Sequence, residues 1–393
     1  MQQLRIDDFL AWAQRYPVID VRSPGEYRQA HIPGAYSMPL FTDEERKVVG
    51  TAYKQQSREQ AIKEGLDYFG PKMRKMVEEV EALLADRAAN GWVPAGDKNN
   101  TVLVHCWRGG MRSGGVAWLL NLYGFRVVTL KGGYKAYRNW VLQQFKIPYR
   151  LKVLGGYTGS GKTVVLQELH RAGKPVIDLE GIARHKGSAF GGVDKVQPTQ
   201  EQFENDLAAE LFAVVQNHGS REAIWVEDES QRIGGINIPG GLWQRMRMAP
   251  VYYLLIDFDS RLQHIMDEYG RIQLPALIDA VTRIQKRLGN EQARQAIRYL
   301  DAGDVRSAFR ILLAYYDKYY ERGIKTRDQQ NALARALRYV YCPVATAQAF
   351  LMAKAAGATF VVYPIYYRKN IACPGVDTVA NSRALVEKTN ENG

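Results

Sequence analysis

Thr101-Val102-Leu103-Val104-His105-Cys106-Trp107-Arg108-Gly109-Gly110-Met111-Arg112-Ser113 reads as a short apolar strand running without a break into a glycine loop. The apolar stretch Gly115 to Tyr123 then predicts a helix, and Arg126 to Leu130 predicts a further strand. A cysteine at the C-terminal end of a parallel strand, followed by glycines and a helix start, lies where backbone N–H groups converge. Such a nest binds an oxyanion and favours a thiolate. Arg108 and Arg112 add fixed positive charge beside Cys106, which pushes the same way. The plain alternative is a buried structural cysteine, since a free thiol often behaves as a small hydrophobe. The C-x5-R-S spacing after a strand favours the reactive reading.

Working outward, Pro17-Val18-Ile19-Asp20-Val21-Arg22 predicts a buried strand ending in charge. Ser57 to Asn90, rich in Glu, Lys, Ala and Leu and closed by Asn90-Gly91, predicts a long helical piece. Strands alternating with helices argue for a mostly parallel sheet. Asp20 and Arg22 read as a structural pair holding the cysteine loop, and His105 as a core residue on the opposite face of its strand.

A second series of the same kind starts at Arg150-Leu151-Lys152-Val153-Leu154 and continues through Pro175 to Asp178, Ala223 to Val226 and Val251 to Asp257. Between its first strand and the helix Val164 to His170 lies Gly156-Tyr157-Thr158-Gly159-Ser160-Gly161-Lys162-Thr163, which fits G-x-x-x-x-G-K-[ST]. Strand, loop and helix supply the context a P-loop requires. The glycines at 156, 159 and 161 and Ser160 let the backbone wrap a phosphate, Lys162 reaches the outer phosphates, and the Thr163 hydroxyl is placed for Mg²⁺. This identifies a di- or triphosphate site and does not name ATP. Ile224 to Ser230 ends in Glu227-Asp228-Glu229, where a Walker-B carboxylate would lie; Glu227 and Asp228 are the candidates, with Asp228 as the candidate Mg²⁺ ligand. Arg184-His185-Lys186, opening a glycine-rich run to Gly192, suits a phosphate or RNA contact as well as it suits a connecting loop.

The chain of 393 residues has room for two or three domains, and 46% hydrophobic residues rule out a disordered class. Three cysteines cannot build a disulfide framework, and Cys342 and Cys373, each before a proline, read as structural. The opening segment lacks the apolar core of a secretory signal, and Ala349 to Tyr367 is interrupted by Lys354, Gly357 and Pro364. A soluble, cytoplasmic protein with no membrane partner is the expectation. A net charge of +12 points to a polyanion. Residues 261–340 read as almost wholly helical and hold 15 Lys+Arg against 9 Asp+Glu. Their Arg283, Arg287, Arg294, Arg298, Arg306 and Arg310, with Tyr299, Tyr315, Tyr316, Tyr319 and Tyr320, suit phosphate tracking and base stacking on a tRNA arm.

Asp20-Val21-Arg22-Ser23-Pro24-Gly25-Glu26-Tyr27, His31-Ile32-Pro33-Gly34-Ala35, the Cys106 loop and Leu130-Lys131-Gly132-Gly133-Tyr134, in that order, resemble the rhodanese-like domain. Sulfurtransferase loops of that fold usually place four residues between cysteine and arginine; the five here resemble the related dual-specificity phosphatases. Followed by the P-loop, Arg184 to Gly192 and Val226 to Ser230, the whole arrangement over about residues 1–370 resembles the bacterial tRNA 2-selenouridine synthases. The expected architecture is α/β: an N-terminal rhodanese-like parallel-sheet domain at 1–145 with a helical insertion at about 42–98, then a P-loop NTPase-like α/β domain at 146–260. A helical, basic region follows at 261–375, with a frayed tail at 376–393.

The resemblance implies alkylation of 2-thiouridine at the tRNA wobble position by geranyl diphosphate, then replacement of the S-geranyl group by selenium from selenophosphate. It implies that Cys106 takes up selenium as a perselenide, with Arg112 and the loop N–H groups binding the donor. The P-loop, with Mg²⁺ as a candidate cofactor, would hold the leaving diphosphate. tRNA is the implied partner, and the selenophosphate-producing enzyme a second candidate. Two competing readings are a phosphatase built on the C-x5-R loop, and an RNA-stimulated P-loop ATPase or RNA-binding module with an idle first domain.

Overall fold

The computed structural model describes residues 2–90, 100–187, 196–270, 272–330 and 338–341. The first unit runs β1 (Gln2–Leu4), α1 (Ile6–Ala13), β2 (Val18–Asp20), α2 (Pro24–Gln29), β3 (Tyr36–Ser37), then α3 (Asp43–Gln55), α4 (Arg58–Phe69) and α5 (Met73–Ala89). It closes with β4 (Thr101–His105), α6 (Met111–Tyr123), β5 (Arg126–Leu130) and α7 (Gly133–Gln144). The strands form a sheet of order β1-β5-β4-β2-β3 with every pairing parallel. All five residues of β4 are buried, as expected of a central strand covered on both faces. Alternation along the strands divides the core: Leu103 and Val128 join α1 and α7 on one face, whereas Val102, Val104 and Val127 join α5 and α6 on the other.

The long helix expected over Ser57 to Asn90 is two helices, α4 and α5, and a third, α3, precedes them. Thr42 and Glu45 form a capping box that starts α3, and the Ser57 hydroxyl caps α4 by accepting from the Gln60 N–H at 3.1 Å. Pro71 then offers no N–H, so the chain passes through a 3₁₀ turn at Gly70–Lys72 before α5.

The second unit begins β6 (Leu151–Gly156), α8 (Lys162–Arg171), β7 (Val176–Ile177), α9 (Leu179–Ala183), α10 (Gln200–His218) and β8 (Ile224–Glu227). A small antiparallel pair, β9 (Arg232–Ile233) and β10 (Ile236–Asn237), and α11 (Gly240–Met248) lead to β11 (Val251–Leu255). The chain then continues through α12 (Phe258–Tyr269), α13 (Leu274–Leu288), α14 (Asn290–Asp301) and α15 (Val305–Gln330) to β12 (Arg338–Tyr341). The sheet order is β12-β11-β6-β8-β7, again all parallel. The stretch read as almost wholly helical therefore returns to the sheet at β12, an edge strand on β11; four residues with one arginine are too short to show a period. Cys342, Cys373 and the expected tail lie outside the described residues.

Helices α7 and α10 join the two units. Tyr134, Tyr137, Trp140 and Val141 share one core with Phe203, Leu207 and Leu211. Among the described residues, no helix is long and apolar enough to cross a membrane.

Candidate active sites

Cys106 leaves the end of β4 into the loop that starts α6, and its side chain is buried. The loop is laced to the Gly132-Gly133 turn: Tyr134 N–H donates to the Cys106 carbonyl at 2.8 Å and Lys135 N–H to the Trp107 carbonyl at 3.0 Å. Two glycines make that approach possible. Gly133 has φ +58°, and a Cβ there would lie 2.3 Å from the Cys106 carbonyl oxygen; Gly109, at φ +65°, would meet the Leu130 carbonyl oxygen at 2.4 Å.

The Cys106 Sγ lies 3.3 Å from Ser113 Oγ. Burial pushes the thiol up, but the Ser113 hydroxyl, the N–H groups of Ser113 and Gly110 and the Arg112 charge outweigh it, so the group lies below its ordinary value. Arg112 is not aimed freely at the thiol. Its guanidinium grips Glu26 of α2 at 2.7 and 3.3 Å, and Arg46 of α3 reaches the same carboxylate at 3.0 Å. Burial raises Glu26, and the two guanidiniums beside it hold it below the usual carboxylate range. Arg108 is exposed, and Trp107, 39% exposed, stands at the rim of the loop.

Under the loop, Asp20 and Arg22 are both fully buried and paired at 2.6 Å, with Arg22 Nη2 also donating to the Ala30 carbonyl at 2.7 Å. The guanidinium lies 3.7 Å from the Tyr134 ring centroid. His105 is fully buried, 3.7 Å from Asp20, and burial holds its imidazole below the ordinary value. Structural pair and core histidine are thus where the residue pattern puts them.

In the second unit the P-loop connects β6 to α8, with Gly161 (φ +73°) as the residue before the helix. Lys162 Nζ donates to the Gly156 carbonyl at 3.0 Å and lies 5.5 Å from the Tyr320 ring centroid. The loop opens on a cavity of about 490 Å³ to which Gly159, Ser160, Gly161, Lys162 and Thr163 all contribute. The acids lining it are Glu180, Glu229, Asp267 and Glu268. Burial raises Glu180, with Asp178 and Glu268 nearby adding to it, and burial with Glu180 beside it pushes Glu229 up to about 8.

Neither carboxylate singled out in the sequence, Glu227 or Asp228, lines the cavity. Glu227 is buried, with Oε1 accepting the Glu180 N–H at 2.7 Å, so it supports the floor and does not face the cavity. Of the three acids that end this strand, Glu229 is the one that lines the cavity together with Thr163. A hydroxyl and one carboxylate are the oxygen donors Mg²⁺ takes when phosphates and water complete its shell. Of the three basic residues singled out, Lys186 lines the cavity, paired with Glu268, while Arg184 and His185 do not line it. Residues 188–192 lie outside the described residues.

The arginine–tyrosine surface divides. Arg283, Arg287, Arg294 and Arg298 are exposed on α13 and α14. Arg310 pairs with Asp259 at 2.8 Å and Arg306 donates to Gln263 at 2.9 Å. Tyr299, Tyr315 and Tyr316 pack on the helical core, and Tyr316 and Tyr320 line the P-loop cavity; the side chain of Tyr319 lies outside the described residues. Helical spacing turns Leu312, Leu313 and Tyr316 inward together, so those tyrosines are not arrayed beside the arginines.

Sequence reasoning missed Ser113, Glu26, Glu180, Glu229 and Arg261. Ser113 follows Arg112 directly in the loop motif, and Glu229 stands two residues past Glu227 at strand spacing, so both carried a readable cue. Arg261 carried none. It is 3% exposed, pairs with Asp317 at 2.8 and 2.7 Å, and donates to the Thr158 carbonyl at 3.2 Å.

Residues 6–139 match the family model described as a rhodanese-like domain, and residues 149–341 the one described as a tRNA 2-selenouridine synthase AAA domain. A tRNA 2-selenouridine synthase of Bdellovibrio bacteriovorus is 39% identical over 261 residues, 65% of this chain and 65% of its own length. One from a Sulfurovum species is 32% identical over 343 residues, 80% of this chain and 90% of its own. A solved N-terminal domain from Clostridium difficile 630 is 38% identical over 36% of this chain and 99% of its own, with a TM-score of 0.31. With both regions matched in this order, and relatives aligned at this identity, the chain belongs to the tRNA 2-selenouridine synthase family.

Proposed function

We propose that the protein modifies the wobble uridine of tRNA in two stages, converting 2-thiouridine to an S-geranyl intermediate and then to 2-selenouridine. The observation that supports the reading is a pair of strand–loop–helix sites of different chemistry in one chain. One holds a thiol with a lowered pKa and the other a lysine over a phosphate cradle.

In the first stage the sulfur of the base attacks the allylic carbon of geranyl diphosphate. The C–O bond breaks, diphosphate departs with the electron pair, and the N3 proton is lost to solvent. Lys162 and the loop amides stabilise charge that develops on the leaving group. Mg²⁺, when bound, would add Lewis-acid stabilisation, and Thr163 and Glu229 are the residues to hold it.

In the second stage selenium is at the selenide level in both selenophosphate and product, so the exchange is a substitution. The Cys106 thiolate can serve without redox change by attacking C2 and expelling the geranyl thiol. Selenium of selenophosphate then displaces the cysteine, and hydrolysis of the Se–P bond releases phosphate. A perselenide on Cys106 would require an oxidant to form and a reductant to discharge. The exposed arginines of α13 and α14 would hold the tRNA backbone. Cytoplasmic residence and delivery of selenophosphate by the enzyme that makes it belong to the same reading.

Nucleoside mass spectrometry of thiolated tRNA, with the two donors supplied separately and together, tests it. Lys162→Ala should lose geranylation yet still selenate pre-geranylated tRNA, and Cys106→Ser should do the reverse. No mass change in any arm removes the proposal. Turnover of an aryl phosphate, lost in Cys106→Ser, would favour a phosphatase instead.

A further inference from the structure

Two kinds of group line the P-loop cavity. The loop and Lys162 supply a phosphate-binding part, and Ile265 and Tyr269 of α12 with Tyr316 and Tyr320 of α15 supply apolar and aromatic faces, with His264, Asp267, Glu268 and Lys186 also in the lining. The Tyr320 ring stands 5.5 Å from Lys162. The wall formed by α12 and α15 is fastened to the phosphate cradle. Arg261 of α12 bridges Asp317 of α15 and the Thr158 carbonyl, and its guanidinium lies 4.9 Å from the Tyr157 ring centroid. A Cβ on Gly159 would come within 2.9 Å of Ile265, so loop and wall are in direct contact.

Lys162 is the cation of the phosphate-binding part, and Ile265 and the rings offer apolar surface beside it. A ligand with a terminal diphosphate and an apolar remainder against Ile265 and the ring faces matches both parts of this lining.

We propose that Ile265, Tyr269, Tyr316 and Tyr320 are the specificity wall of the alkyl donor, selecting the hydrocarbon part of an allylic diphosphate by length. The helical segment after β11 then has a second role besides carrying exposed arginines, because it completes the donor site. This inference rests on the alkyl-transfer reading above.

The test measures binding and transfer of five-, ten- and fifteen-carbon allylic diphosphates, with inorganic diphosphate and ATP as reference ligands. The wild type, Tyr269→Leu and Tyr316→Leu are compared at full length. Because one methylene in an apolar pocket changes discrimination by about tenfold or more, the truncations should shift the fifteen- to ten-carbon ratio by about that factor. Inorganic diphosphate should bind all three proteins within about twofold, since its contacts are untouched. A folded variant whose chain-length ratio is unchanged, or whose affinity for inorganic diphosphate falls in parallel, overturns the specificity wall while leaving alkyl transfer standing. If the wild type binds geranyl diphosphate no better than inorganic diphosphate, or ATP outcompetes it, the alkyl-transfer reading itself fails.

Discussion

The Tyr134 hydroxyl accepts a hydrogen bond from Asn205 Nδ2 at 2.8 Å, while the Tyr134 backbone N–H holds the Cys106 carbonyl at the same distance. One residue therefore ties the cysteine loop to α10 of the other unit. Asn205 is fully buried and also donates to the His31 carbonyl at 2.9 Å and accepts from Arg138 at 2.6 Å. Asn205→Ala should cost about 1–3 kcal/mol, because buried polar partners lose their bonds. It should also alter the rate at which iodoacetamide modifies Cys106. An unchanged melting temperature and an unchanged alkylation rate would together show that the link carries nothing.

Ser113→Ala removes the hydroxyl that supports the thiolate. The lowered thiol pKa should then move back up, so alkylation at neutral pH slows severalfold and its inflection shifts to higher pH. A pH–rate profile in both proteins decides this, and coincident curves would rule Ser113 out.

Asp20→Ala strands the Arg22 guanidinium in the core, since both side chains are fully buried. Leaving one member of a buried pair typically costs about 3–5 kcal/mol, whereas replacing both by apolar groups costs far less. Urea denaturation should therefore find Asp20→Ala less stable than the double variant Asp20→Ala/Arg22→Met.

Gly133→Ala places a methyl group against the Cys106 carbonyl and the Gly109 N–H. The loop must shift, and displacement of a reacting group by about 1 Å can cost about a hundredfold in rate. Selenation of pre-geranylated tRNA should fall steeply while geranylation persists; equal loss of both stages would point to a general folding defect.

Replacing Arg283, Arg287, Arg294 and Arg298 together by alanine should weaken tRNA binding and flatten its salt dependence. Each lost phosphate contact lowers the slope of log affinity against log salt by about 0.7–0.9. A filter-binding titration across salt concentrations that returns the wild-type slope would place the RNA elsewhere.

Local pattern carried much of the architecture. Thr101 to His105 and Arg126 to Leu130 are strands at the residues their apolar runs mark, and both loops with special chemistry stand between strand and helix. The misreadings have local causes. Pro71 interrupts a helical composition, and β1 and β12 are edge strands of three and four residues, too short to display alternation.

By itself the sequence determined two α/β units, the Cys106 nest and the P-loop, because a strand, a glycine turn and a helix start are contiguous in the chain. Which side chains surround those loops was decided only in three dimensions. Glu26 meets Arg112 across 86 residues, Asn205 meets Tyr134 across 71, and Asp317 meets Arg261 across 56. Such partners follow from how helices stack on a sheet, which no spacing records. The net charge of +12 carries the same lesson: the sequence totals the arginines, and folding separates those turned to solvent on α13 and α14 from those, such as Arg22 and Arg261, spent inside.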